Sequence, residues 1–135
     1  MDYYLKLGWN TIILGSDKDI PIAAEITNLT STNNSCLYDL TGKTSIEDAL
    51  DLLSISRLVL TNDSGLMHLA VSNQLKVISL FGPTDDKIYR PYGNENIVIR
   101  TKEPLKYFKT INIDQNKSYM NTIKSDIVIQ TLERL

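Results

Sequence analysis

Three consecutive residues, Asp63, Ser64 and Gly65, directly follow a short apolar run and combine the residue types that a binding turn needs. We call them the DSG turn. Asp and Ser are favoured at helix N-caps, where one such residue contributes roughly 1 kcal/mol, so a plain cap is one interpretation. The alternative is a ligand site, because glycine lets a ligand approach the backbone closely. In that case the N–H groups of residues 64–66 would hold an anion, and Asp63 would accept hydrogen bonds from hydroxyl groups such as those of a sugar.

A histidine, His68, comes four residues after Ser64, one helical turn further along. A lone histidine on a helix is usually a packed or solvated residue, and that interpretation stays open. The one-turn offset from the proposed anion site supports the other interpretation. An imidazolium at this position would add a charged hydrogen bond to a phosphate oxygen.

Four further residues are candidates for the same site. Thr84 and Asp85 follow the next apolar run, and adjacent strand ends share a crevice, so both side chains could line the pocket; a plain turn is the alternative. Asp17 follows the first apolar run and is by default solvated, but it could take a ribose hydroxyl if the crevice binds a nucleotide. Thr44 with Ser45 fits a helix cap.

The elements around the DSG turn form a strand–helix–strand unit. Residues 58–60 are an apolar run typical of a short buried strand, and residues 66–73 have apolar side chains at helical spacing. A second apolar run, residues 77–81, ends at Gly82-Pro83. A parallel βαβ unit is therefore predicted, and ligands of such sheets bind beyond the carboxyl ends of the strands.

Further strands are predicted at residues 11–14, 36–38 and 96–100. Strands that alternate with helices indicate a parallel sheet with helices on both faces. The predicted fold class is α/β, a Rossmann-like parallel sheet flanked by helices.

The inner faces of two helices can also be predicted. One helix starts at Asp19, and the other begins at a capping box formed by Thr44 and Glu47 and runs to about Ser56. The predicted inward residues are Ile22, Ile26 and Leu29 in the first helix, and Ile46, Ala49, Leu50 and Leu53 in the second.

The two ends of the chain are predicted to be helical. Residues 1–8 resemble the tail of a helix that ends at Gly8. Residues 101–119, which precede the last predicted helix, show no clear period. Ser125 and Asp126 are expected to cap a last helix with three inward residues, Val128, Leu132 and Leu135.

Composition narrows the function classes. The chain has 135 residues, 42% of them apolar, and a net charge of −2 without a long basic run, so nucleic acid is not an expected partner. No apolar run approaches the roughly 20 residues that a membrane helix needs. Cys36 and His68 are each single, so neither a protein-only metal site nor a cofactor is expected. Without a P-loop, a GxGxxG motif or a recognisable nucleophile–histidine pair, spacing alone indicates an anion-and-hydroxyl site but defines no reaction.

Three motifs in order resemble glycosyltransferase family 9, the ADP-heptose:lipopolysaccharide heptosyltransferases. They are residues 39–45 (DLTGKTS), residues 62–65 (NDSG) with His68, and residues 81–85 (FGPTD) with residues 91–93 (PYG). The resemblance implies the C-terminal, nucleotide-sugar-binding half of a two-domain GT-B glycosyltransferase. We therefore expect residues 1–135 to be one partial nucleotide-sugar-binding domain, lacking its first strand and the N-terminal acceptor domain.

The resemblance also implies roles for individual residues. Asp63 would contact the heptose hydroxyls, while Ser64, Gly65 and His68 would hold the diphosphate. Asp17 corresponds to an acidic residue that binds the ribose, and Thr44 falls near the adenine. The reaction implied is an inverting transfer of heptose from ADP-heptose to the lipid-linked lipopolysaccharide core, without an essential metal.

The family's catalytic base lies in the N-terminal domain, so no catalytic residue is expected in this chain. The resemblance implies a cytoplasmic location, or a peripheral one at the inner face of the inner membrane. An open sheet edge and the helix remnant at residues 1–8 would favour self-association. Two alternatives stay open: a degenerate or non-catalytic nucleotide-sugar-binding or interaction module, and a related transferase that uses another nucleotide sugar.

Overall fold

The computed structural model describes residues 1–31, 34–93, 95–114 and 118–134. Within these ranges helices and strands alternate along most of the chain. In chain order they are α1 (Asp2–Lys6), β1 (Thr11–Ile13), α2 (Ile20–Leu29), β2 (Leu37–Asp39), α3 (Ile46–Ser54), β3 (Leu58–Asn62), α4 (Gly65–Ser72), β4 (Lys76–Phe81), α5 (Asp86–Tyr89), β5 (Ile97–Arg100), α6 (Leu105–Phe108) and α7 (Ser125–Leu132).

The chain divides into two compact units, and the boundary falls inside α3. The first unit, residues 1–51, contains the parallel pair β1–β2. The second unit, from residue 52 onwards, contains the parallel sheet β3–β4–β5, in which neighbours along the chain are neighbours in space. The predicted parallel strands and intervening helices are confirmed, and within the described residues the strands form two sheets.

The core of the second unit is built on β4. This strand has a hydrogen-bonded neighbour on each side, and its central residues are completely buried. Such burial is typical of parallel sheets covered on both faces, whose strands read as continuous apolar runs. The buried cluster around it consists of Leu53, Met67, Ala70, Val77 and Phe81.

The predicted inner face of α2 is wrong. Ile22 and Leu29 are 60% and 74% exposed, and the buried residue of this helix is Ala23. Thr27, one turn after Ala23, is half-buried, and its hydroxyl donates to the Ala23 carbonyl over 2.9 Å. The inward face is thus rotated by one residue, about 100°, from the apolar stripe. The small Ala23 side chain allows close packing, and the hydroxyl of Thr27 is satisfied within the helix.

The predicted capping box of α3 is shifted by one residue. The Ser45 hydroxyl accepts from the Asp48 N–H over 3.1 Å, and the Asp48 carboxylate accepts from the Ser45 N–H over 2.9 Å. Thr44 and Glu47 therefore do not form the box. Helix α3 ends at Ser54 rather than Ser56. Of the predicted inward residues, Ala49 and Leu53 are buried, Leu50 is half-buried and Ile46 is 70% exposed.

The ends of the chain agree with the predictions in part. Gly8 has a φ of +78° just past α1, as expected for a glycine that ends a helix. Its N–H donates to the Leu5 carbonyl and that of Trp9 to the Tyr4 carbonyl, both over 3.0 Å, which satisfies two carbonyls of the last turn.

At the other end, the predicted cap of α7 is wrong. Lys124 occupies the N-cap position without a side-chain bond, and Ser125 is already helical, so its hydroxyl is too far into the helix to cap it. Leu135 lies outside the described residues. The other predicted inward residues are buried: Val128 and Leu132.

Candidate functional site

The DSG turn joins the end of β3 to the start of α4. Ser64 is at the N-cap position, with an extended backbone (φ −154°, ψ 167°). The expected side-chain cap is wrong, because the Ser64 hydroxyl makes no cap bond and lies 3.3 Å from the Thr61 hydroxyl. Its carbonyl accepts the Met67 N–H over 3.1 Å. The N–H groups that open a helix have no intrahelical partner, so the first turn of α4 retains donors for a ligand.

The other two residues of the turn are open to approach. A Cβ placed on Gly65 would meet no other part of the described protein within 4 Å, so packing does not require glycine here. Asp63 is half-buried, and its carboxylate has no hydrogen-bond or ion-pair partner within the described ranges. The turn therefore combines an accessible backbone with an uncommitted carboxylate.

His68 lies on α4 one turn after Ser64, and it is exposed. The preceding residue, Met67, is buried, so α4 packs through the face that carries Met67, and His68 lies on another face. The packed interpretation of His68 is excluded. The imidazole follows the Ser64 N-cap by one helical turn, a spacing that suits a contact with an anion bound at the α4 N–H groups.

The segment after β4 belongs to the same edge of the sheet. β3 and β4 are parallel with Asn62 opposite Leu80, so the DSG turn leaves the sheet next to Gly82. Thr84 is exposed, and Asp85 is the N-cap of α5, with its carboxylate accepting the Lys87 N–H over 3.0 Å. The structure thus places Thr84 and Asp85 after the neighbouring strand, with Asp85 engaged as a cap.

Arg100, at the end of β5, was not identified as a site residue from the sequence. Its guanidinium donates to the Gly82 carbonyl (2.9 Å), the Thr84 carbonyl (2.8 Å) and the Asp86 carboxylate (2.7 Å). The side chain is 20% exposed. The sequence feature that could have identified it is a basic residue at the end of a predicted strand. Parallel strands end at the same edge of a sheet, so such a residue would be expected near the turn after β4. By contrast, Arg90 is exposed, as expected of a surface charge.

Asp17 and Thr44 belong to the first unit. Asp17 begins a short 3-10 turn after β1 and is exposed. The loops after β1 and β2 meet there, because the Gly42 N–H donates to the Gly15 carbonyl over 3.0 Å. Gly42 has a φ of +70°, a conformation that favours glycine, and a Cβ on it would lie 2.5 Å from a carboxylate oxygen of the exposed Asp17, which would have to move.

Thr44 is half-buried and directly precedes α3, beside the Ser45–Asp48 box. Asp39, the last residue of β2 and the first of the DLTGKTS motif, carries another carboxylate next to this loop. It accepts the Thr41 N–H over 3.0 Å. Hydrogen bonding to Thr41, with a smaller contribution from Lys43, lowers the pKa of Asp39 below its usual range, which keeps this carboxylate ionised.

The described ranges hold neither a cluster of metal-ligating side chains nor a membrane-spanning helix. No group of three or more His, Cys, Asp or Glu side chains there is arranged to hold a metal ion. None of the helices described is long and apolar enough to cross a membrane.

Comparison with known proteins then decides the family. Residues 1–118 match the profile of glycosyltransferase family 9 (heptosyltransferase). The chain belongs to glycosyltransferase family 9. Lipooligosaccharide heptosyltransferase 2 of Haemophilus influenzae is 36% identical over 97 residues, which are 71% of this chain and 28% of that protein. The chain thus spans less than a third of the length of that curated relative.

Solved structures agree on the fold. The family 9 glycosyltransferase of Veillonella parvula superimposes with a TM-score of 0.84 at 27% identity, covering 98% of this chain and 38% of that one. The Escherichia coli ADP-heptose lipopolysaccharide heptosyltransferase II superimposes with a TM-score of 0.78 at 24% identity, over the same shares of the two chains. The family 9 chain therefore has parallel sheets flanked by helices that correspond to part of a GT-B glycosyltransferase.

Proposed function

We propose that this chain is the donor-binding part of a heptosyltransferase of lipopolysaccharide core biosynthesis. It binds ADP-heptose or a similar nucleotide sugar and, completed by an acceptor-binding domain, transfers heptose to a lipid-linked core acceptor. Family membership supports this proposal, as do the names of its relatives, a lipooligosaccharide heptosyltransferase 2 and an ADP-heptose lipopolysaccharide heptosyltransferase II. The observation that carries it is the DSG turn, with its accessible backbone and uncommitted carboxylate.

The diphosphate binds at the start of α4. The N–H groups of residues 64–66 point their positive ends at it, and the helix dipole adds a favourable field. His68, exposed one turn further on, donates a charged hydrogen bond when protonated. Asp63 would repel a phosphate, so it faces the heptose and accepts hydrogen bonds from its hydroxyl groups.

The nucleoside binds to the loops of the first unit. Asp17 accepts hydrogen bonds from the ribose hydroxyls, and Thr44 lies on the adenine side. The hydrogen bond from the Gly42 N–H to the Gly15 carbonyl supports this assignment, because it brings the loop that leads to Thr44 beside the loop that carries Asp17. Thr84 and Asp85 line the donor pocket after β4, on the segment that Arg100 fixes.

The transfer breaks the bond between the heptose anomeric carbon and the β-phosphate oxygen of ADP. An acceptor hydroxyl oxygen forms the new bond from the opposite face, which inverts the configuration, and its proton goes to a base. We assign that base to an aspartate of the acceptor-binding domain and not to a described residue of this chain. Its own contribution is electrostatic, because the α4 N–H groups and His68 stabilise the charge that develops on the departing diphosphate.

A second candidate is a nucleotide-sugar-binding module without activity of its own, or one that serves only as an interaction domain. A third is a transferase for another nucleotide sugar. Mixing the chain with a separately produced acceptor-binding domain distinguishes the first candidate from the second, since only a donor-binding half would restore transfer.

Two further properties belong to this proposal. The protein acts in the cytoplasm, peripherally at the inner face of the inner membrane, where a lipid-linked acceptor is accessible. It also self-associates through its N-terminal segment. The exposure of Leu7 (58%) and the pairing of β1 with β2 alone among the described strands support this idea, and a monomer in sedimentation velocity would contradict it.

The test of donor binding is calorimetric titration of the whole chain with ADP-heptose. Saturable binding is expected, weakened at least tenfold by His68→Ala, because a charged hydrogen bond contributes roughly 1.5–3 kcal/mol. Lys76→Ala, an exposed change at the start of β4 and so at the opposite end of that strand from the donor contacts, serves as the control and should leave the affinity unchanged. Equal loss in both variants, or no binding by folded wild-type chain, would contradict the proposal.

A further inference from the structure

Basic and apolar side chains are exposed together in the segment that follows β5. Residues 102–113 carry three lysines, Lys102, Lys106 and Lys109, and one glutamate, in a chain whose net charge is −2. All three lysines are exposed. Lys106 and Lys109 have no hydrogen-bond or ion-pair partner among the described side chains. Lys106 lies in α6 and Lys109 is its C-cap, and their spacing of three puts them on one side of the helix.

Apolar side chains are exposed beside these lysines. Tyr107, between Lys106 and Lys109, is 45% exposed, and Ile113 is 44% exposed. We call the set of Lys102, Lys106, Tyr107, Lys109 and Ile113 the α6 surface.

The α6 surface is firmly anchored to its unit. Phe108 is 5% exposed and packs edge-on against the rings of Tyr107 and Tyr119, with centroid distances of 5.3 and 5.6 Å. The Asp114 N–H donates to the Tyr119 hydroxyl over 3.0 Å, which fixes the far end of the segment. One aromatic side chain thus holds α6 inward, so the adjacent lysines and Tyr107 face outward by helix geometry.

The near end of the segment is held by a polar network that occupies the carboxylate of Glu103. Glu103 accepts hydrogen bonds from the hydroxyls of Thr101 and Thr122, and the two hydroxyl oxygens lie 2.7 Å apart. The Lys102 N–H donates to Thr122 over 3.0 Å. The hydrogen bond from Thr101, with smaller contributions from Thr122 and the charge of Lys102, lowers the pKa of Glu103, so its charge stays on the network. The ammonium groups of Lys106 and Lys109 are not part of this network.

We propose that the α6 surface is where this protein contacts a membrane that carries anionic lipid headgroups. Lysines attract such headgroups electrostatically, and an exposed tyrosine and isoleucine beside them can enter the interface between headgroups and acyl chains. The methylene groups of a lysine side chain can lie along an apolar surface while its ammonium group reaches the headgroups.

Nucleic acid fits the same surface less well. The chain is acidic overall, the α6 surface has lysines without arginine, and it offers one exposed aromatic ring rather than a stacking platform. This inference rests on the proposed location at the inner membrane and does not depend on donor binding. A negative vesicle test would therefore leave the donor site untouched, and a negative ADP-heptose titration would leave the α6 surface untouched.

The test is co-sedimentation of the whole chain with vesicles. Vesicles of equal parts phosphatidylcholine and phosphatidylglycerol should bind the protein, and phosphatidylcholine alone should not. The double variant Lys106→Gln, Lys109→Gln should bind roughly 25-fold more weakly, because each lysine near an anionic surface is worth about a fivefold change in affinity. Tyr107→Ser should weaken binding several-fold without changing its dependence on salt, since it removes an uncharged contact.

The matched control is Lys18→Gln, Lys87→Gln, which makes the same change in net charge at two other exposed lysines. This control should bind as the wild type does. The proposal is overturned if the wild-type chain does not distinguish the two kinds of vesicle, or if both double variants lose the same affinity. It is also overturned if an RNA oligonucleotide binds more tightly than the anionic vesicles and displaces them.

Discussion

The middle strand of the second unit and the first strand of the chain differ in what surrounds them. β4 has a strand on each side, and its residues Val77, Ile78, Ser79 and Phe81 are at most 1% exposed. β1 has one strand neighbour, and all of its residues are half-buried. Parallel strands need cover on both faces, and two-stranded sheets are marginal on their own. The middle strand of the second unit is therefore fully enclosed, whereas the first strand of the chain is only partly covered.

This difference bears on the candidate site. The DSG turn begins at the end of β3, whose only described strand neighbour is the buried β4, so the proposed diphosphate and heptose contacts rest on a packed sheet. Asp17 and Thr44 lie on two loops that are joined by the hydrogen bond from the Gly42 N–H to the Gly15 carbonyl. We expect the contacts on the DSG turn to be the more rigid ones, and the following predictions test the comparison.

The largest expected effect is the loss of the β4 core. Phe81→Ala should destabilise the second unit by about 3–5 kcal/mol, because it leaves a cavity around a completely buried ring. Ile12→Ala, in the half-buried β1, should cost clearly less. Urea unfolding followed by far-UV circular dichroism reports the whole chain, whereas fluorescence of Trp9, the single tryptophan, reports the first unit. Equal losses of stability in the two variants would contradict the conclusion that β4 is packed more completely than β1.

A smaller effect is expected from the guanidinium that fixes the turn after β4. Arg100→Lys removes the planar fork that spans the Gly82 and Thr84 carbonyls and the Asp86 carboxylate. The expected loss of stability is roughly 2 kcal/mol, as for hydrogen bonds to charged groups. Arg90→Lys is the matched control at an exposed position and should be neutral in the same urea titration. If the control loses as much, Arg100 does not fix this turn.

The cap of α3 predicts a further difference between neighbouring residues. Ser45→Ala should lower stability by about 1 kcal/mol, since it removes the side chain that closes the box with Asp48. Thr44→Ala should have a much smaller effect, because Thr44 is outside the box. Thermal unfolding of the two variants measures the difference, and a larger loss from Thr44→Ala would mean that the cap lies where the sequence first placed it.

The same box predicts a small dependence on pH. Hydrogen bonds from the Ser45 N–H and hydroxyl lower the pKa of Asp48 in the folded protein. The ionised carboxylate therefore adds stability at pH values above the usual Asp range, and this contribution disappears as the pH falls through the lowered pKa. In urea titrations at neutral and acidic pH, Asp48→Asn should reduce the acid-induced loss of stability. An unchanged loss would show that other carboxylates account for it.

Much of the second unit could be predicted because its sequence pattern and its packing agree. Residues 77–81 are apolar without interruption, and β4 is buried on both faces. The DSG turn consists of residues with strong preferences for helix starts, and α4 begins at Gly65. In such a place local propensity, burial and topology all favour one structure.

Elsewhere the pattern was misleading for identifiable reasons. In α2, three large apolar residues suggested an inner face, but the helix packs through Ala23, whose small side chain carries little weight in an apolar pattern. In α3, Ser45 and Asp48 made the cap although Thr44 and Glu47 had the same spacing. Arg100 could not be assigned, because its role depends on the carbonyl groups of a turn sixteen and eighteen residues away.

The measurement that tests the central claim most directly compares two ligands, ADP-heptose and ADP, in calorimetric titrations of the wild-type chain and of Asp63→Asn. If Asp63 contacts the heptose, the substitution should weaken ADP-heptose binding at least tenfold and leave ADP binding unchanged or slightly stronger, because it removes a charge that repels phosphate. Asp126→Asn, an exposed carboxylate in the first turn of α7, controls for the change in net charge. Equal weakening of both ligands, or no change in either, would contradict the assignment of the DSG turn as the sugar-binding end of a donor site.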